Sequence, residues 1–152
     1  MATPEQIYNF KQFDETLATG GQPDEAELEA IVRAGYQVVI NLGLANAPYA
    51  VTHERAIVES SGLRYEHIPV DFEMPEVELF FIFRERYRQL SKQKCFIHCA
   101  ANKRVSCFMA LYRIVELGWQ PSQAEEEMLQ IWQPNEAWRS FMQQVLAQAD
   151  RS

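Results

Sequence analysis

At 152 residues, with 47% hydrophobic and 23% charged residues, the chain has the length and balance of a single globular domain that buries a core without staples. A net charge of −7 and a pI near 5.0 argue against an extended nucleic-acid or acidic-membrane footprint, each of which needs a broad basic face. No apolar run approaches the roughly 20 residues of a bilayer span, and the opening MATPEQIYNF lacks the basic-then-apolar order of a secretory signal.

In chain order, the loop Gly20-Gly21-Gln22-Pro23 leads into a predicted helix over 24–34, with Leu28, Ile31 and Val32 on one face and Gly35 as its stop. YQVVINL (36–42) is a β-rich apolar run of the kind that forms a buried strand. A second helix is expected over 49–61, then a strand over 64–70. After Pro75, the residues Val77, Phe80, Phe81, Phe83, Tyr87 and Leu90 recur at helical spacing. KCFIHC (94–99) reads as a short central strand, and 104–117 as a helix apolar all round, hence a buried one. Two amphipathic helices, after Pro121 and after Pro134-Asn135, close the chain. Strands separated by helices imply an α/β fold, a mainly parallel sheet flanked by helices in one domain over 1–152. Such folds bind ligands outside the carboxyl ends of their strands. Cys99 is expected at that place.

Three cysteines, Cys95, Cys99 and Cys107, are an odd number with neither CxxC nor HxxxH spacing nearby. They suit neither a disulfide framework nor a zinc site. A reducing cytoplasm is the expected home of a free thiol nucleophile. The order strand, HCAANKR, buried helix has a chemical use: a cysteine at a helix N-terminus feels the partial positive charge of the helix and loop amides, which favours its thiolate. Successive N–H groups of Ala100, Ala101, Asn102 and Lys103 can form a nest for an anion, and Arg104 can bind two of its oxygens at once.

His98-Cys99 followed by Arg104 and a buried helix resembles the signature loop of the tyrosine and dual-specificity phosphatase superfamily, H-C-x5-R-(S/T). The segments GGQP, VVINLGL, YEHIPVDF and IWQPNEAW also resemble the bacterial beta-lactamase-hydrolase-like phosphatases, so the similarity spans nearly the whole chain. The chain departs from the pattern in one place: four residues separate Cys99 from Arg104 where the superfamily has five. Val105-Ser106-Cys107-Phe108-Met109-Ala110-Leu111 aligns without a gap with a common continuation, T-G-T-F-I-A-L, if Arg104 is the anion-binding arginine. Placing Val105 at the arginine position would instead rotate the helix by about 100°. A shortened loop is therefore expected, with one amide fewer and with Val105 in place of the hydroxyl that eases thiolate departure. Ser106 is the candidate substitute.

The resemblance implies a phosphatase-like fold, Cys99 as nucleophile and a phosphorylated protein or small molecule as substrate. Asp71-Phe72-Glu73-Met74-Pro75 resembles the D-x-G-x-P acid loop without its glycine. Asp71 is thus the expected general acid with Glu73 as its substitute; the plainer alternative is that Asp71 caps the turn before the next helix. His98 is expected to orient the loop by hydrogen bonding, Asn102 to hold a positive-φ position, and Lys103 to be a solvated charge near the anion. Cys95 and Cys107 are expected to pack in the core, with the trapping of an oxidised Cys99 as a disulfide as the alternative; His53, His67 and the three tryptophans are expected to be structural. No metal or other cofactor is expected, because arginine and amides supply the positive charge. Two rivals stay open: a sulfurtransferase carrying a Cys99 persulfide, since a six-residue Cys-to-Arg loop also resembles the rhodaneses, and a phosphate-binding module without turnover.

Overall fold

The computed structural model describes residues 1–150. After a 3-10 turn at Pro4–Gln6, strands β1 (Lys11–Gln12) and β2 (Leu17–Gly20) form a short antiparallel pair that the sequence pattern did not reveal. Helix α1 (Glu25–Arg33), strand β3 (Val38–Asn41), helix α2 (Glu54–Ser60), strand β4 (Arg64–His67), helix α3 (Val77–Leu90) and strand β5 (Cys95–His98) alternate as expected. Helices α4 (Lys103–Val115), α5 (Pro121–Leu129) and α6 (Glu136–Ala149) follow. The sheet has the order β1-β2-β5-β3-β4, and every pair beyond β1 is parallel.

Local chemistry explains several boundaries. Asp24 accepts a hydrogen bond from the Glu27 amide at 2.8 Å and the Glu27 carboxylate accepts one from Asp24 N–H at 2.9 Å, a reciprocal cap that starts α1. Asn135 caps α6 through the Trp138 amide. The helix expected over 49–61 is a correction: only Glu54–Ser60 is helical, because His53 takes a left-handed conformation (φ 65°) that no right-handed helix continues through. The segment before it is a loop, which frees Tyr49 to reach across the molecule.

Alternation along the strands sends side chains to two cores. Leu17, Val38, Ile40, Cys95, Ile97 and Cys99 face α3, α4, α5 and α6, where Phe80, Phe83, Phe108, Trp138 and Phe141 interlock. Ala18, Val39 and Phe96 face α1 and α2 instead. His98 stacks on Phe96 on that second face, so the neighbours His98 and Cys99 point to opposite sides of the sheet. No helix among the described residues is long and apolar enough to cross a membrane.

Candidate active site

Strand β5 is flanked on both sides by parallel strands, and its end delivers Cys99 to the rim of the sheet. The turn 99–102 is held from outside. The Ala100 carbonyl accepts from Gln22 N–H at 3.0 Å, and the Ala101 carbonyl accepts from the Asn9 side-chain Nδ2 at 3.0 Å. Gly21 lies opposite Ala101, so close that a Cβ there would sit 2.6 Å from the Ala100 carbonyl oxygen. The glycine of the GGQP segment is thus a contact surface for the loop. Asn102 has φ 65°, as expected, and its buried side chain donates to the Asn9 carbonyl and the Thr19 hydroxyl, both at 2.9 Å. With carbonyls turned outward, the N–H groups of Ala100, Ala101, Lys103, Arg104 and Val105 donate to no protein acceptor among the described residues. Unpaired amides at a loop-to-helix junction are the raw material of an anion cradle.

Cys99, Ala100, Ala101, Lys103, Arg104 and Phe72 line one cleft of about 250 Å³. Arg104 is 5% exposed; one terminal guanidinium nitrogen donates to the Val70 carbonyl at 2.8 Å and the other to the Tyr49 hydroxyl at 3.3 Å. Its Nε–H has no partner among the described residues. A buried, unpaired donor is costly unless something satisfies it, and Nε together with the adjacent terminal nitrogen forms an edge that suits two oxygens of an anion. Val105 lies in the core at 0% exposure, in the same cluster as Phe108 and Ala110.

The other expected residues divide. Asp71 is exposed on the loop after β4, between Val70, which anchors Arg104, and Phe72, which walls the cleft. Its Oδ1 accepts from the Glu73 and Met74 amides at 2.8 and 3.3 Å, so the turn-capping geometry is present whatever else the carboxylate does. Ser106 is not brought to the cleft. Its hydroxyl donates to the Lys103 carbonyl at 2.7 Å and accepts from Trp132 Nε1 at 3.0 Å, and it lines a separate small void with Met109 and Glu127. Lys103 is no freely solvated charge: its ammonium lies 5.3 Å from the Trp132 ring centre and 6.0 Å from that of Phe72. Cys95 and Cys107 are buried thiols that desolvation pushes up to about 12.

Several residues around the site carried no warning in the sequence. Trp138 donates its indole N–H to the Phe72 carbonyl at 2.8 Å, and Phe72 packs between Trp132 and Trp138. The tryptophans of IWQPNEAW therefore brace the Asp71–Pro75 loop besides packing helices. Behind the loop, Glu54 meets His98 Nε2 at 2.7 Å. Burial alone raises the Glu54 carboxyl, but hydrogen bonds and charge from His98, with hydrogen bonds from Gln22 and Tyr65, outweigh it and hold the group below the ordinary range.

Neither a protein-family model nor a curated protein sequence matches the chain. Solved structures do. The chain is 27% identical to the "Putative phosphatase (DUF442)" of Shewanella putrefaciens CN-32, with a TM-score of 0.83 and 95% of each chain covered. The chain has the fold of the cysteine-dependent phosphatases. P. aeruginosa TpbA, solved in complex with pTyr, is 18% identical with a TM-score of 0.67, covering 97% of this chain and 85% of its own. PTPMT1, solved with PI(5)P, is 17% identical with a TM-score of 0.68, covering 92% and 98%. The resemblance to that superfamily and the mainly parallel α/β architecture, both legible in the sequence, hold at the level of the fold.

Proposed function

We propose that the chain is a phosphatase that hydrolyses phosphate monoesters through a cysteinyl-phosphate intermediate. The observation that carries this reading is the cleft shared by Cys99 and Arg104, walled by a loop in which the N–H groups of Ala100, Ala101 and Lys103 have no protein acceptor among the described residues. In the proposed cycle the Cys99 thiolate attacks phosphorus, and the S–P bond forms as the ester P–O bond breaks. The loop amides and the unpaired Nε edge of Arg104 hold the equatorial oxygens, where charge accumulates. Asp71 gives its proton to the departing oxygen, since an alkoxide is a poor leaving group. A water then attacks the cysteinyl phosphate, Asp71 takes its proton, and the thiolate leaves. The pTyr and PI(5)P found with TpbA and PTPMT1 support a phosphorylated substrate of either chemistry.

An aryl phosphate assayed across about pH 5 to 7 tests the proposal. Activity is expected in the native chain and absent in Cys99→Ser, while Asp71→Asn lowers kcat by about 10²- to 10⁴-fold. No hydrolysis by the native chain, or full activity in Cys99→Ser, overturns it. The six-residue turn from Cys99 to Arg104 favours the persulfide reading as the second choice. Cyanide-dependent thiocyanate formation from thiosulfate, with no phosphate release from esters, would select it. Phosphate binding without turnover, unaffected by Asp71→Asn, would select the binding module.

A further inference from the structure

The loop after β3 brings a phenol to the guanidinium of the candidate site. Asn41 Oδ1 accepts from the Gly43 amide at 2.7 Å, and the Gly43 carbonyl accepts from His67 Nε2 at 2.7 Å, so the chain leaves the strand in a fixed turn. Tyr49 folds back onto that turn. A Cβ at Gly43 would lie 3.1 Å from Tyr49 Cε1 and 3.3 Å from its hydroxyl oxygen, so the ring rests on bare backbone. The Leu44 amide donates to the hydroxyl oxygen at 2.8 Å, and Arg104 Nη2 donates to the same oxygen at 3.3 Å. The central carbon of the Arg104 guanidinium lies 5.7 Å from the ring centre. The phenol is thus placed from two sides, by its own turn and by the arginine.

The direction of these bonds leaves a donor over. A phenol has one hydrogen to give and two lone pairs to receive with. Neither partner can accept, because a backbone N–H and a guanidinium offer only hydrogens. Both lone pairs are engaged, and the Tyr49 hydrogen has no acceptor among the described residues. Arg104 Nε–H, on the guanidinium that Tyr49 touches, is likewise unspent, and it is buried. Arg104 Nη2 carries a second hydrogen, so it can hold Tyr49 and an anion oxygen together. Donors that meet without an acceptor suit a group rich in lone pairs. We infer that Tyr49 is a further anion ligand of this site: its O–H donates to an oxygen of the phosphoryl group held by Arg104 and the loop amides. The inference rests on the proposed phosphate site and adds to it a neutral donor from a separate loop. Tyr49 holds an oxygen and gives up no proton, and a donor fixed before the anion arrives costs little reorganisation.

Inorganic phosphate, titrated into the full chain, is the probe. Calorimetry is expected to show Tyr49→Phe binding phosphate at least about tenfold more weakly than the native chain. Equal affinities overturn the inference, and so does a native chain that binds no phosphate. Phenylalanine also leaves the Leu44 amide without its acceptor, so a second measurement uses the native protein. With tyrosine labelled with carbon-13 at Cζ, isotope shifts in mixed light and heavy water report how fast each hydroxyl exchanges with solvent. Exchange at Tyr49 is expected to slow as phosphate saturates the site, a response that a purely structural phenol would not give. Unchanged exchange at saturation overturns the inference. A native chain that passes both measurements but hydrolyses no ester refutes the proposed phosphatase activity and leaves Tyr49 an anion ligand. A native chain that hydrolyses esters, with Tyr49→Phe equal to it in phosphate affinity, refutes the role of Tyr49 alone.

Discussion

Asn102 shows how much one side chain decides at this loop. Its left-handed backbone opens helix α4, and its side-chain amide ties the turn to Asn9, in the turn before β1, and to Thr19 on β2. Asn102→Gly keeps the backbone conformation and loses two hydrogen bonds, an expected cost of about 1–3 kcal/mol. Asn102→Ala loses the same bonds and must also hold a β-carbon at positive φ, adding about 1–2 kcal/mol. Urea midpoints should fall in the order native, glycine, alanine; equal midpoints for the two variants would show that the backbone is not under constraint there. Among the residues around the cleft, Cys99, Asn102 and Arg104 were legible because they lie within six consecutive positions whose order is itself the signal. Glu54 and Tyr49 were not, because each meets its partner, His98 or Arg104, across dozens of residues of chain. Nothing in the local sequence marks a glutamate in an ordinary amphipathic segment as the hydrogen-bond partner of a histidine on another element.

At the scale of elements, the candidate site is a junction of three pieces: the Cys99–Lys103 turn, the Gly20–Gln22 segment that braces it, and the Val70–Pro75 loop that carries Asp71. The brace depends on a missing side chain. Gly21→Ala would put Cβ 2.6 Å from the Ala100 carbonyl and 3.0 Å from that of Tyr8, both backbone oxygens that cannot swing aside. The turn must shift, so aryl-phosphate turnover is expected to drop at least about tenfold and stability by about 1–3 kcal/mol; a variant with native kinetics would mean that the Gly21 contact does not govern loop geometry. The helices of the chain were readable from their period, with one exception. A helix was expected to begin at 49, yet the left-handed His53 delays it to Glu54 and leaves Tyr49 in a loop beside Arg104. The β1–β2 pair gives no such signal because Lys11–Gln12 spans only two residues and Leu17–Gly20, with the sequence LATG, lacks the continuous β-branched run that marks β3.

For the molecule as a whole, two cores on opposite faces of one sheet hold the two halves of the site in register. Phe108 on α4 touches Phe80 and Phe83 of α3 and Trp138 and Phe141 of α6, and so fixes the helix that follows the loop. Phe108→Ala is expected to cost about 3–5 kcal/mol and to lower Tm by about 10 °C, read by calorimetry; a shift of a degree or two would place the structural centre elsewhere. The buried network on the other face makes stability depend on acid. Because the Glu54 carboxyl is held below its unfolded value, its stabilisation is complete above about pH 4.3 and disappears as pH falls through the lower, folded value. Melting temperatures should therefore fall on the acid side, and Glu54→Gln should flatten that fall; parallel profiles would assign the acid sensitivity to other groups. Order along the chain was enough for the alternation of strands and helices, the position of the Cys-loop at a strand's carboxyl end and the α/β class, because each is encoded over a few turns or a single run of residues. Folding had to supply the rest. Which carbonyl anchors Arg104, which carboxylate hydrogen-bonds His98 and which tryptophan braces the acid loop are contacts between distant elements, and their energies exist only once the sheet has brought those elements together.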